Sequence, residues 1–287
     1  MIKLGLSIHP RWIEGSLKRL EEELAEIKNT GADCCELVLH AFDVIIGDRI
    51  IPERLDAILR VLEDCDLEYT LHLPYELNLL CSTSPELHFN TFLAGIKFAK
   101  AVGIGLIVYH AGIARSFDES ALCVEAKLIK TLAKEAGDIL ICMENPPFLD
   151  DSFFSAGFTA CGMIDFVNEI SLPNFKLTFD LGHSFLGHHG NETALLKDLR
   201  TLLPYVGHIH LHDNLGARTM ICDNDFSQRV ALGAADIHLP LGWGRIPVKE
   251  IMYQLKDWDG IIDLEIEMRF QEQYVKSLAF VRQYIVH

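Results

Sequence analysis

Eight short apolar runs, with helical patterns between them, recur from one end of this chain to the other and limit what it can fold into. They lie at 3–8, 33–39, 68–73, 104–110, 139–144, 175–180, 206–212 and 260–266. Their β-branched character without polar alternation suits parallel strands buried on both faces. Between them, 16–30 repeats leucine and charge at helical spacing and stops at Gly31. Ser84 and Pro85 offer an N-cap and a proline at the first helical position for a helix over 86–102, which stops at Gly103. Further helical patterns cover 118–136, 191–203, 248–257 and 271–285. Strand followed by helix, eight times over, implies the α/β class and a parallel sheet closed into a single (β/α)8 barrel with right-handed crossovers. An open doubly wound sheet would show a glycine-rich turn after its first strand. Ile8-His9-Pro10-Arg11-Trp12 stands there instead. The length, 287 residues, allows one large unit or two small ones. No linker, low-complexity stretch or charge block interrupts the rhythm, so one domain over 1–287 is expected.

Composition narrows the function classes. Nearly half the residues are apolar and 23% are charged, as in soluble globular proteins. The apolar runs are too short to span a membrane, and the first residues lack a signal peptide's apolar core, so a cytoplasmic protein without membrane partners is expected. The eight cysteines (34, 35, 65, 81, 123, 142, 161 and 222) form no Cys-x-x-Cys pair and read as reduced and structural. Lys and Arg number 25 against 41 Asp and Glu, a net charge of −16. That balance argues against broad nucleic-acid binding through phosphate neutralisation and leaves only a local basic patch open.

The runs end in residues that bind divalent metals. His72, His110, Glu144, Asp180, His210 and Glu265 stand at or near the ends of runs three to eight, most of them roughly 30–40 residues apart. Equivalent ends of parallel barrel strands gather around one mouth, so six ligand-type side chains are expected to converge there. A single buried histidine is unremarkable; six such residues in succession are not. The longest departure from the rhythm, 213–245, follows run seven on the side where barrel enzymes build their active sites, and carries Asp236-Ile-His238 before a glycine turn. His208, His210 and His212 alternate and share one face, as do Glu265 and Glu267, so spacing leaves the choice within each set open. His40, His88, His188 and His189 stand alone and read as surface or satisfied polar residues.

Local motifs sharpen the picture. His72-Leu-Pro-Tyr75-Glu-Leu-Asn78-Leu79 is similar to the His-x-Pro-Tyr-x-x-Asn-Leu signature of endonuclease IV. His110-Ala-Gly112 resembles its His-Pro-Gly, Glu144-Asn145 its Glu-Asn, and Asp180-Leu-Gly-His183-Ser-Phe185 its Asp-x-x-His-x-Phe. His210-Leu-His-Asp213 resembles His-Leu-Asn-Asp, and Asp236-Ile-His238 with Leu241-Gly242-Trp-Gly244 resembles Asp-x-His followed by Leu-Gly-x-Gly. Over its whole length the chain resembles the xylose isomerase-like TIM barrel superfamily, which holds endonuclease IV and many sugar and sugar-phosphate isomerases and epimerases.

The resemblance implies up to three Zn2+ ions. One falls to His72, His110 and Glu144; a second to Glu144, Asp180, His210 and Glu265; a third to His183, Asp236 and His238. His208 is then expected one layer deeper, hydrogen-bonded in the core. Two chemistries share such a cage. A sugar or sugar-phosphate isomerase or epimerase needs a single Mn2+, Mg2+ or Co2+ on the second set, with Glu144 and Glu265 shuttling a proton and His183 orienting the substrate. Tyr75 and Asn145 are the expected substrate contacts, with Arg245 meeting a phosphate. The alternative is a zinc phosphodiesterase acting on abasic DNA. Against it, the loop after run two lacks the basic, glutamine-bearing recognition loop of endonuclease IV. Segments 74–86 and 145–160 contain no Lys or Arg, and Asn214-Leu215 stands where those enzymes place a lysine. The sugar reading is preferred, with a small-molecule partner. Barrels of this superfamily often pair, which leaves a homo-oligomer open, although no stretch marks an interface.

Overall fold

The structure, a computed structural model, describes residues 1–115, 119–147, 152–217 and 226–285. Cys222 and residue 118 of the helix expected over 118–136 fall outside them. All eight apolar runs form strands: β1 (Lys3–Ser7), β2 (Cys34–Val38), β3 (Glu68–His72), β4 (Leu106–His110), β5 (Leu140–Glu144), β6 (Phe175–Asp180), β7 (Val206–His210) and β8 (Ile261–Leu264). Each pairs in parallel with its neighbours, and β1 closes on both β2 and β8, giving a complete barrel. The expected fold is therefore the observed one. A small hairpin, Ile45–Ile46 with Arg49–Ile50, caps the loop after β2.

The helices obey local chemistry. Ser16 caps Leu17–Asn29 by accepting from the Arg19 amide. Pro52–Cys65 begins on proline with Glu53 in its first turn and turns Ile58, Val61 and Leu62 inward. That helix and Ala160–Ile170, capped by Thr159, fill the barrel's two remaining helix positions, after β2 and β5. Three expectations need correction. Ser84 occupies the N-cap position of Pro85–Val102, but its side chain makes no capping bond; its hydroxyl lies 3.7 Å from the Cys81 thiol. The helix expected over 248–257 stops at Gln254. The segment expected as one helix over 271–285 is the end of a 3-10 stretch, Met268–Gln273, and a shorter helix, Tyr274–Arg282; within the 3-10 stretch Phe270 departs from helical geometry.

Apolar side chains fill the layer between strands and helices, while polar ones enter the barrel lumen. Glu36, Thr70, Thr178, His208 and Asp263 are all buried. Buried polar groups persist only when paired. Thr70 donates to Glu36 Oε2 (2.9 Å), and Ser7 donates to Asp263. At the amino-terminal end of the strands a depression of about 570 Å³ is lined by Leu67, Tyr69, Ile104 and Ile261. Among the described residues, every group of ligand-type side chains lies elsewhere, at the carboxyl ends and in the lumen just below them.

Candidate metal centre

His72, His110, Glu144, Asp180 and His210 are each the last residue of their strand, and Glu265 directly follows β8. A register shift between Leu177 and Thr178 in the β6–β7 pairing sets Asp180 opposite His210. Side chains on strand ends inherit the rigidity of the barrel, and the loops beyond them are tied together by carboxamides and carboxylates that bind main chain. Asn78 accepts from the amides of Leu80 and Ile113 and donates to the Ile113 carbonyl, joining the loops after β3 and β4. Asn145 donates to the Asp180 carbonyl and accepts from its amide, bracketing the end of β6. Asp213 accepts from the amides of Asn214, Gly242, Gly244 and Ile246 and so folds the long connection after β7. Gly244 is needed there, since a Cβ on it would stand 2.2 Å from Asp213 Oδ1.

Three groups of ligand-type side chains result at the mouth, and their donor atoms lie within 4.8 Å of one another inside each group. The first is His72, His110 and Glu144; the second is Glu144, Asp180, His210 and Glu265; the third is His183, His212, Asp236 and His238. All nine expected ligands are in these groups. The structure adds His212, which spacing alone left open, and brings it to the third group.

The imidazoles share one orientation. His72, His110, His183 and His238 direct Nδ1 at the main-chain carbonyls of Leu73, Tyr75, Asn145 and Glu265, at 2.6, 3.3, 2.9 and 2.7 Å. A carbonyl only accepts, so Nδ1 carries the hydrogen and Nε2 presents its lone pair to the cage. Such an outer partner is what fixes a metal-ligating histidine. His210 is turned the other way: Nε2 lies in ion-pair range of Glu36 Oε1 (2.9 Å), leaving Nδ1 at 3.3 Å from Glu144 and 3.5 Å from Glu265. Glu36, a lone acid in the apolar run of β2, escaped the sequence reading. An isolated carboxylate that must be buried was the signal. One layer down, His208 Nε2 lies 3.1 Å from Glu36 Oε2, at the depth expected, but neither ring nitrogen makes the expected hydrogen bond.

Burial opposes charge on Glu144, Asp236, His183, His210 and His238, yet proximity of opposite charges prevails. His210, His110 and His183 hold the Glu144 carboxyl well below its usual range, and His238, His183 and His212 do the same for Asp236. Despite burial, His183 and His210 are held well above the ordinary imidazole value, and His238 is raised to about 10. Meanwhile Glu144 Oε1, Asp180 Oδ2, both nitrogens of His210, Asp236 Oδ1 and both nitrogens of His212 are buried without a hydrogen bond. Native proteins rarely tolerate such a concentration of orphaned donors and acceptors. Ionised carboxylates facing imidazole lone pairs fit divalent cations in place of the protons.

Around the cage, the Tyr75 ring stacks on His110 (5.9 Å) and meets His72 edge-on (4.9 Å) while remaining 41% exposed. Arg245 is exposed on the loop folded by Asp213, beside Gly190. His40 is exposed against Tyr75, His88 accepts from the Asn78 amide, and His188 pairs with Asp198 at 2.7 Å.

Residues 24–284 match the family described as the xylose isomerase-like TIM barrel. The chain belongs to that family. Among known proteins it is 28% identical over 159 residues to the uncharacterized protein MJ1311 of Methanocaldococcus jannaschii. That match covers 55% of this chain and 46% of the relative, so the chain accounts for less than half of the archaeal protein's length. A D-tagatose 3-epimerase-like protein superposes with a TM-score of 0.72 at 22% identity, covering 98% of this chain and 96% of the other. A D-allulose 3-epimerase from Methylomonas sp. gives 0.72 at 15% identity, covering 99% and 98%. At these identities the likeness is one of fold.

Proposed function

We propose that this barrel is a divalent-metal-dependent isomerase or epimerase acting on a sugar or sugar phosphate. The observation that carries the reading is the second group: three carboxylates and one imidazole on adjacent strand ends, with Glu144 and Glu265 flanking the Asp180–His210 pair. Such an oxygen-rich set suits Mn2+, Mg2+ or Co2+, whereas the imidazole-rich groups suit Zn2+. A bound cation would supply Lewis-acid polarisation of a carbonyl. The chain's own residues do the rest. Glu144 and Glu265 approach the substrate from strands separated by β6 and β7. One takes the proton from the carbon beside the carbonyl, and the other delivers one from the opposite side. His183, fixed through Nδ1, orients a hydroxyl. Tyr75 lays an apolar ring along one edge of the sugar, and Arg245 reaches a phosphate. Asn145 serves by positioning Asp180. The epimerase fold neighbours support a small sugar as substrate.

One observation favours a phosphodiesterase: the first and third groups complete the trinuclear donor set that such an enzyme uses. The double variant His72→Ala/His110→Ala separates the readings. Assayed on a ketose panel and on abasic-site duplex DNA, a sugar enzyme keeps ketose turnover within about tenfold of wild type, while a trinuclear hydrolase loses DNA cleavage by about 100-fold or more. Duplex cleavage by the wild type with no ketose turned over would overturn the sugar reading.

A further inference from the structure

We propose that His9, bound to Glu23, is the positioning residue that holds Glu265 in its place in the second donor group. The inference rests on the sugar reading for the role of Glu265, and its test includes readouts that stand apart from that reading.

Glu265 is the member of the second group with the least support from the sheet. Glu144, Asp180 and His210 end their strands, whereas β8 stops at Leu264. Glu265 lies at the centre of a tight turn in which the Ile266 amide donates to the Leu264 carbonyl (3.0 Å). Two imidazoles pin the main chain around that turn. His238 Nδ1 donates to the Glu265 carbonyl (2.7 Å), and His9 Nε2 lies 2.8 Å from the Ile266 carbonyl. His238 is a member of the third group, while His9 belongs to none of the groups among the described residues.

The state of His9 follows from its two partners. Nδ1 lies 2.5 Å from Glu23 Oε1, which also accepts from the His9 amide (3.0 Å). A carbonyl and an ionised carboxylate only accept, so both ring nitrogens carry hydrogen and the ring is an imidazolium. Burial opposes that charge, but Glu23 and the Ile266 carbonyl outweigh it and hold the imidazole above its ordinary value. Tyr274 covers the ring, stacked at 6.2 Å with 10° between planes, and its hydroxyl lies 3.5 Å from the Ile266 carbonyl.

Glu23 interrupts the inward stripe of Leu20, Leu24 and Ile27 on the helix Leu17–Asn29, and is 4% exposed. A buried ion pair adds little stability over an apolar pair of the same volume. What this one adds is direction: the helix-borne carboxylate fixes the ring, and the far nitrogen of the ring fixes the turn. Among the described residues, neither His9 nor Glu23 makes a hydrogen bond or ion pair with a donor-group side chain, so the pair acts on Glu265 through the main chain.

Two substitutions separate the ring's two nitrogens. In His9→Asn the side-chain amide stands where Nδ1 was, so the Glu23 bond stays and the Ile266 bond is lost. In His9→Gln the amide reaches the place of Nε2, so the Ile266 bond stays and the Glu23 bond is lost. On a ketose that the wild type turns over at saturating Mn2+, H9N is expected to lower kcat about 10- to 100-fold with KM within about threefold. H9Q is expected to restore kcat to within about threefold of wild type. A residue that only shields the buried Glu23 charge would give the reverse order. Two further readouts need no substrate. Crystal structures are expected to show the Glu265 carboxylate displaced by about 1 Å or more in H9N and in place in H9Q. Competition with a chelator for Mn2+ is expected to show second-group affinity lowered about tenfold or more in H9N only. If the wild type turns over no ketose, the sugar reading fails, and these two readouts decide the positioning role by themselves. Unchanged Glu265 geometry and Mn2+ affinity in H9N, or equal losses in both variants, would overturn the proposal. Should H9N fail to fold, H9Q decides: Glu265 in place supports the proposal, and Glu265 displaced overturns it.

Discussion

The second and third donor groups lie side by side, yet they are built on opposite plans. Glu144, Asp180, His210 and Glu265 offer three carboxylates and one imidazole, and all four stand on or next to strand ends. His183, His212, Asp236 and His238 offer one carboxylate and three imidazoles, and all four lie beyond the strands, in a short helix and connecting segments. Strand ends are the most rigid positions a barrel has, and oxygen-rich sets favour exchangeable, hard cations. Loop-borne imidazoles gain fixed positions only when something joins them. The contrast teaches how the barrel fixes its donors: the frame places the oxygen-rich set, and the segments around it place the imidazole-rich one.

The largest expected effect falls where the groups meet. Glu144 is shared by the first and second groups, and under the proposed function Glu144→Gln removes both a metal ligand and a proton carrier. Turnover should drop by about 1,000-fold or more, measured on whichever substrate the wild type accepts. A loss under tenfold would break the comparison by showing that the strand-borne group does no chemistry.

Next comes support beneath the strand-borne side. Glu125 is buried and accepts from the Gly112 amide (2.8 Å) in the turn after His110. Burial raises its carboxyl from 4.5 to about 7. The folded state therefore holds a proton that the unfolded state releases, and stability falls as pH rises from 4.5 to about 7. Glu125→Gln cannot ionise and still accepts from Gly112. It should be more stable than wild type by up to about 3 kcal/mol above pH 7 and equal to it below about pH 4. Parallel denaturation curves at all pH values would contradict this.

A smaller effect probes the outer partner of His210. Glu36→Gln should weaken metal binding at the strand-borne group about 10- to 100-fold while leaving the loop-borne group's retention unchanged. Competition with a fluorescent chelator measures both. Equal weakening at the two groups would mean that they form one cooperative cage.

Much of this was legible in the sequence. A closed parallel barrel repeats its geometry, so ligand types recurring at strand ends identify convergence without any knowledge of contacts. Glu36 was harder to read because it sits inside a strand, with no motif spacing to mark it. His212 was harder because β7 ends at His210. Beyond that point the alternation that gives His208 and His210 one face no longer fixes direction, and Gly182 decides where the ring goes. The helices Pro52–Cys65 and Ala160–Ile170 had capping signals that went unassigned, while Ser84 carried a capping signal its side chain does not use.

The central claim is proton transfer by the strand-borne carboxylates at carbon beside a carbonyl. It is tested most directly by incubating the metal-loaded protein in D2O with a panel of ketoses and their phosphates and following deuterium uptake by NMR. The account predicts one deuterium at that carbon for at least one sugar, and no uptake with Glu265→Gln. Absence of exchange across the panel, with cleavage of an abasic duplex by the same preparation, would contradict it.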